Sequence, residues 1–150
     1  MRRCAREEST TTGRTAVDIS VLANDHGSLD PSTVVVTTPQ PAAQKVARLS
    51  AAMAQKVNLP VKGIIENMSW FAGDDGKRYE IFGAGGGQDL ADALDVPLLG
   101  QLPLVQELRE GGDDGKPITV THPDSEAAQA FQAIARRIAE DLKPKKIFSA

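Results

Sequence analysis

Two short runs of branched apolar residues, Val34–Thr38 and Val61–Asn67, flank one amphipathic stretch, and that spacing leaves few folds open. Runs that are apolar on both faces suit parallel strands buried between helices. Pro41 stands where the first turn of a helix tolerates a missing N–H. From there to Val57, the apolar Val46, Leu49, Met53 and Val57 recur every three or four residues, which predicts a helix with that face turned to a core. Asn58 and Pro60 stop it. Strand, helix and strand together make a right-handed βαβ crossover, the unit of an α/β fold.

The second strand ends on Glu66-Asn67, at the carboxyl end where open α/β sheets bind their ligands. A polar loop follows over Ala72–Arg78, then Tyr79–Phe82, the cluster Gly83–Gly87 and a helix from about Gln88. Val96–Gly100 reads as a third strand, Val105–Glu110 as a short helix, Gly111–Lys116 as an acidic loop and Ile118–Val120 as an extended stub. Asp124 or Ser125 caps a last helix whose Ala127, Phe131, Ile134, Ile138 and Leu142 share one face. Lys143, Lys145 and Lys146 suit its carboxyl end. Residues 1–15 are polar with nothing to bury, Ala16–Leu22 is a strand candidate, and Asn24-Asp25-His26-Gly27 is a turn.

With 41% hydrophobic residues and a net charge of −3, the chain carries no basic face for nucleic acid. No apolar run approaches the ~18 residues of a membrane span, and the amino terminus lacks the apolar stretch of a secretory signal. The single cysteine, Cys4, has no internal partner, which favours a reducing compartment, read here as the cytoplasm.

The chemistry is constrained by what the chain does not contain. A P-loop needs G-x-x-x-x-G-K-[ST], with backbone N–H groups around the phosphates, a lysine on them and a hydroxyl on magnesium. That phrase is absent, and Gly115-Lys116-Pro117 lacks both the glycine spacing and the hydroxyl. The cluster Gly83–Gly87 admits two readings, phosphate binding at a helix amino terminus or a flexible turn, and the second is the commoner. Asn67 is the best ligand candidate, since an amide both donates and accepts toward a purine edge; the alternative is an asparagine closing a turn. Asp74 and Asp75 read as a solvated turn with Gly76 before they read as metal ligands, and the same holds for Asp113 and Asp114. His26 and His122 have no second ligand at metal spacing. Trp70 and Phe71 suit core packing or a dimer face.

The phrases GIIENMSWF, IFGAGGGQDLADAL and VPLLGQLPL resemble the Mrp/ApbC-type iron–sulfur cluster carriers, P-loop ATPases of the MinD-like group. The likeness runs from about Val34 to Leu142 and covers the carboxyl-terminal half of such a protein. It implies a partial P-loop NTPase fold, Rossmann-like and three-layered with a mostly parallel sheet, lacking the P-loop half. It divides the chain into an unrelated or disordered segment 1–33, the half-domain 34–142 and a basic tail 143–150. It implies that Asn67 reads adenine while Pro103 and Leu104 line the same pocket, with ATP binding weak or lost. Mg²⁺ and a 4Fe–4S cluster are implied by the family only. The C-x-x-C that many members carry is replaced here by Ala72–Lys77, and the family's upstream D-x-P-P-G-T-x-D phrase is missing. The implied partners are a second copy and iron–sulfur apo-proteins.

The sequence therefore leads to a truncated carrier of the ATP-binding family without hydrolysis of its own. The alternative is a non-catalytic module that binds a partner through an exposed sheet edge. A third reading, an extracellular β-sandwich fragment, rests on the VLAND phrase at Val21–Asp25 and sits poorly with the βαβ unit.

Overall fold

The structure, a computed structural model, describes residues 32–141. Cys4, the strand and turn expected over 16–27, Leu142 and the lysines beyond it lie outside the described residues.

The βαβ unit forms as its spacing predicts. β1 (Thr33–Thr37), α1 (Pro41–Lys56) and β2 (Val61–Glu66) are followed by β5 (Leu98–Gln101), giving a parallel sheet in the order β1-β2-β5. Between β2 and β5 lie a small antiparallel hairpin, β3 (Phe71–Ala72) with β4 (Arg78–Tyr79), and α2 (Gly86–Leu94). The chain then runs through α3 (Gln106–Asp113), α4 (Ile118–Thr121) and α5 (Glu126–Asp141).

Helices cover both faces of the sheet. On one, Val35 and Ile64 pack with Ala47 and Ala51 of α1 and Leu90 and Ala91 of α2. On the other, Leu99 and Leu102 pack with Ile134 of α5, flanked by Val34, Ile65, Phe131 and Ile138. Gly63 makes room for Leu99 on the neighbouring strand β5, and Gly100 lets α5 close on the sheet. A Cβ at Gly63 would lie 2.5 Å from Leu99 Cγ, and one at Gly100 2.5 Å from Ile134 Cγ1. Ser125 caps α5, accepting the Ala128 N–H at 3.2 Å.

Three expectations need correction. The face of α1 that meets the core is its alanine stripe; Val46, Leu49, Met53 and Val57 are 52–65% exposed. Alanines bring the helix axis close to the sheet, so the larger side chains stand away from it. The stub at Ile118–Val120 is a helical turn, with the N–H groups of Val120 and Thr121 both donating to Pro117 O and Ile118 buried beneath. The loop expected from Gly111 is still helix as far as Asp113.

Candidate functional site

The three strands end side by side, and the segments leaving them are stitched together. Asn67 N–H donates to Thr37 O at 2.7 Å and Leu102 N–H to Glu66 O at 2.8 Å. Farther out, Ser69 N–H donates to Leu102 O and Leu104 N–H to Trp70 O, so the loops after β2 and β5 run alongside each other. This is the end of an α/β sheet at which ligands bind.

Asn67 is half-buried between β1 and the loop after β5. Its Oδ1 accepts the Met68 N–H at 2.9 Å, in a turn that places Met68 at φ 57°. The turn therefore uses the amide oxygen and leaves both N–H groups of Nδ2 without a partner among the described residues. Thr38 lies near, its Oγ1 shielded from solvent and unpartnered among the described residues. Asn67 and Thr38 line one end of a groove of about 530 Å³ along β1 and α1. Pro103 is fully buried and Leu104 half-buried, and both stand outside that lining.

The residue that organises this end is Glu66, which is 1% exposed. Its Oε1 accepts the Ser69 hydroxyl at 2.8 Å and a Gln101 amide N–H at 2.7 Å. Its Oε2 accepts the backbone N–H of Gly87 in the first turn of α2. One carboxylate thus ties the loop after β2, the end of β5 and the amino end of a helix, where the dipole favours negative charge. Sequence reading saw Glu66 only as a polar strand end. The available signal was an acid inside a strand apolar on both faces, with a hydroxyl three residues on and glycines to follow.

The same contact decides the glycine cluster. Gly85 stands at φ 80° before the helix, a conformation that side chains disfavour. A Cβ at Gly86 would lie 2.5 Å from Pro39 O, and one at Gly87 2.7 Å from Glu66 Cβ. These glycines admit neighbouring protein atoms, and the Gly87 N–H that a phosphate would want is already donated to Glu66.

The segment that replaces C-x-x-C forms the tip of the β3–β4 hairpin. Asp75 closes it, accepting the Lys77 N–H at 3.0 Å and the Tyr79 hydroxyl at 2.9 Å. Those bonds hold the Asp75 carboxyl below its ordinary range and push the Tyr79 hydroxyl up. A carboxyl lowered by folding lends stability above its unfolded pKa and withdraws it as pH falls through the folded value. The Tyr79 ring resonances are therefore expected to titrate below about pH 4, and to stay flat over that range in Asp75→Asn. Arg78 lies 4.4 Å over the Trp70 ring and pairs with Glu126, fastening the hairpin to α5.

Tested against the groups that the resemblance implies, the donor set fits one part. No group of three or more His, Cys, Asp or Glu side chains converges among the described residues, and the only thiol in the sequence is Cys4. Among the described residues the site therefore offers none of the soft ligands an iron–sulfur cluster takes. At the amino end of α2 the Gly87 and Asp89 N–H groups are already donated, to Glu66 Oε2 and Gly85 O. The Asn67 amide and Thr38 hydroxyl suit the edge of a nucleobase.

The ParA family, described as NUBPL iron-transfer P-loop NTPases, matches residues 12–139. An iron–sulfur cluster carrier protein from Synechocystis is 48% identical over 108 residues, 71% of this chain and 31% of that protein. The mouse iron–sulfur cluster transfer protein NUBPL is 41% identical over 111 residues, 73% of this chain and 35% of that protein. The chain thus spans about a third of the length of these relatives. Among solved structures, the septum site-determining protein MinD of Pyrococcus horikoshii with Mg-ADP aligns at TM-score 0.59 and 23% identity. It shares the fold over 73% of this chain and 42% of its own. A nucleotide-binding protein of Archaeoglobus fulgidus in complex with ADP aligns at TM-score 0.50 and 29% identity, over 62% of this chain and 37% of its own. The architecture is a partial P-loop NTPase fold, and the chain belongs to the ParA family of NUBPL iron-transfer P-loop NTPases.

Proposed function

We propose that this chain supplies the base-binding side of an iron–sulfur cluster carrier and does not hydrolyse nucleotide alone. The observation that carries the reading is the placement of Asn67 at the carboxyl end of the parallel strands, its amide N–H groups unclaimed among the described residues, in a chain whose relatives are named as iron–sulfur carriers. Asn67 donates to an acceptor on the adenine ring, and Thr38 stands beside it. Pro103 and Leu104 act from behind, shaping the loop after β5 that pairs with the loop bearing Asn67. ATP then binds through its base with little help from its phosphates, so the affinity is weak. Magnesium and the cluster cargo belong to parts of the assembled carrier outside these residues. A second copy and apo-protein clients complete the proposed setting, in the cytoplasm. No described helix is long and apolar enough to cross a membrane.

A thermal melt tests the reading. ATP at about 100 times its dissociation constant is expected to add about 2.7 kcal/mol, seen as a raised midpoint. Asn67→Ala is expected to weaken ATP about tenfold, the loss of one well-placed hydrogen bond. A midpoint that ignores ATP up to millimolar concentration overturns the base site, and Mg²⁺-dependent turnover by the chain alone overturns the inactive reading.

A further inference from the structure

The amino end of α2 touches both sides of the base site. Gly86 and Gly87 are consecutive and buried, and each meets the residue next to one of the proposed base contacts. Gly86 packs on the carbonyl of Pro39, which follows Thr38. Gly87 packs on Glu66, which precedes Asn67, and donates its N–H to that carboxylate. The Pro39 carbonyl is held a second time, accepting Gln44 Nε2 of α1 at 2.8 Å. The loop after β1 is thus set against α2 at one glycine, and the end of β2 at the next. Each of these contacts lies between described residues.

We infer that the amino end of α2 gauges the width of the base site, with Gly86 and Gln44 as positioning residues that act on the ligand through Thr38. The inference rests on the base-binding reading of Asn67 and Thr38 given above. Its physical content is which atoms can yield. A Cβ at Gly86 would overlap Gln44 Nε2 and lie 2.5 Å from Pro39 O. The amide is the far end of a flexible side chain and swings aside at the loss of its own hydrogen bond. The carbonyl is backbone, next to a ring that fixes φ, so it gives way by carrying the loop off α2, Thr38 with it. Gly87, seated on Glu66, leaves the helix little room to retreat instead. Hydrogen bonds weaken steeply with distance and angle, so a small shift of the Thr38 hydroxyl is felt by the base. Glycines placed where phosphate binding is expected thus serve the opposite end of a nucleotide.

The test titrates ATP into the 150-residue chain, followed by the Asn67 side-chain amide resonances well below each variant's melting midpoint. Gly86→Ala and Thr38→Ala are each expected to weaken ATP about fivefold, the worth of one hydrogen bond. The double variant should also lose about fivefold, because the second change removes what the first has already displaced. Without ligand, Gly86→Ala should move the Thr38 resonances, which a merely less stable fold would leave in place. Gln44→Ala frees the Pro39 carbonyl without adding an atom. It should weaken ATP by at least about twofold in the parent and leave Thr38→Ala unchanged, and it carries the test if Gly86→Ala does not fold. Parent-like affinity in the folded Gly86→Ala, or in Gln44→Ala where that variant carries the test, overturns the proposal. So does a double variant weakened by the product of the singles, about 25-fold. Recovery of affinity in Gly86→Ala combined with Gln44→Ala does the same, since the strain would then lie on the amide and not on the carbonyl. A parent that does not bind ATP overturns the base site and this proposal together. A parent that binds, with Gly86→Ala binding equally well, overturns the proposal alone.

Discussion

Replacing Glu66 with alanine is expected to lower the melting midpoint by roughly 10–15 °C, a loss of about 2–4 kcal/mol. The change strands the Ser69 hydroxyl and the Gly87 N–H in a buried region and frees the amide of the exposed Gln101. All three face the carboxylate as donors. Glu66→Gln keeps the shape but sets an NH₂ group against one of them, so it should recover only part of the loss. Urea denaturation with an unchanged slope would assign the effect to the folded state. If Glu66→Ala melts within about 1 °C of the parent, the carboxylate is not the tie described above.

Gly87→Ala is expected to destabilise by about 1–2 kcal/mol, although alanine is the better helix former by about 1 kcal/mol. The added methyl would sit 2.7 Å from Glu66 Cβ and 2.9 Å from its Oε2, where both the helix and the strand are held. Because the two residues touch, the double variant should lose at least about 0.5 kcal/mol less than the sum of the singles. An additive cycle, or a stabilised Gly87→Ala, would show that the glycine is there for the flexibility of the turn alone.

Much of this architecture was legible because local and global signals agree. Pro41, the run to Val57 and the stop at Asn58 give α1 its bounds, and the flanking branched residues give β1 and β2 theirs. Orientation was less legible. In α1 the larger apolar residues and the alanines both recur at helical spacing, and hydrophobicity points to the wrong stripe. Only the distance between helix and sheet selects Ala47 and Ala51. Ile118–Val120 was read as an extended stub, whereas Pro117, with its fixed φ, opens a helical turn closed on its own carbonyl. At the site, the resemblance singled out Asn67, but its engaged Oδ1 depends on a turn with Met68 at positive φ, which no pattern announces. Glu66 was hidden because its partners at residues 69, 87 and 101 meet only when the sheet is assembled.

The closure of α5 on the sheet has a consequence for growth at β5. A sheet with two open edges can propagate, each added chain presenting a fresh edge to the next, and so run to fibres. Here Arg137 of α5, donating to Leu98 O and Leu99 O, sets a cation against β5 that an added strand would have to displace. Growth of the sheet by added strands is thereby disfavoured on the β5 side.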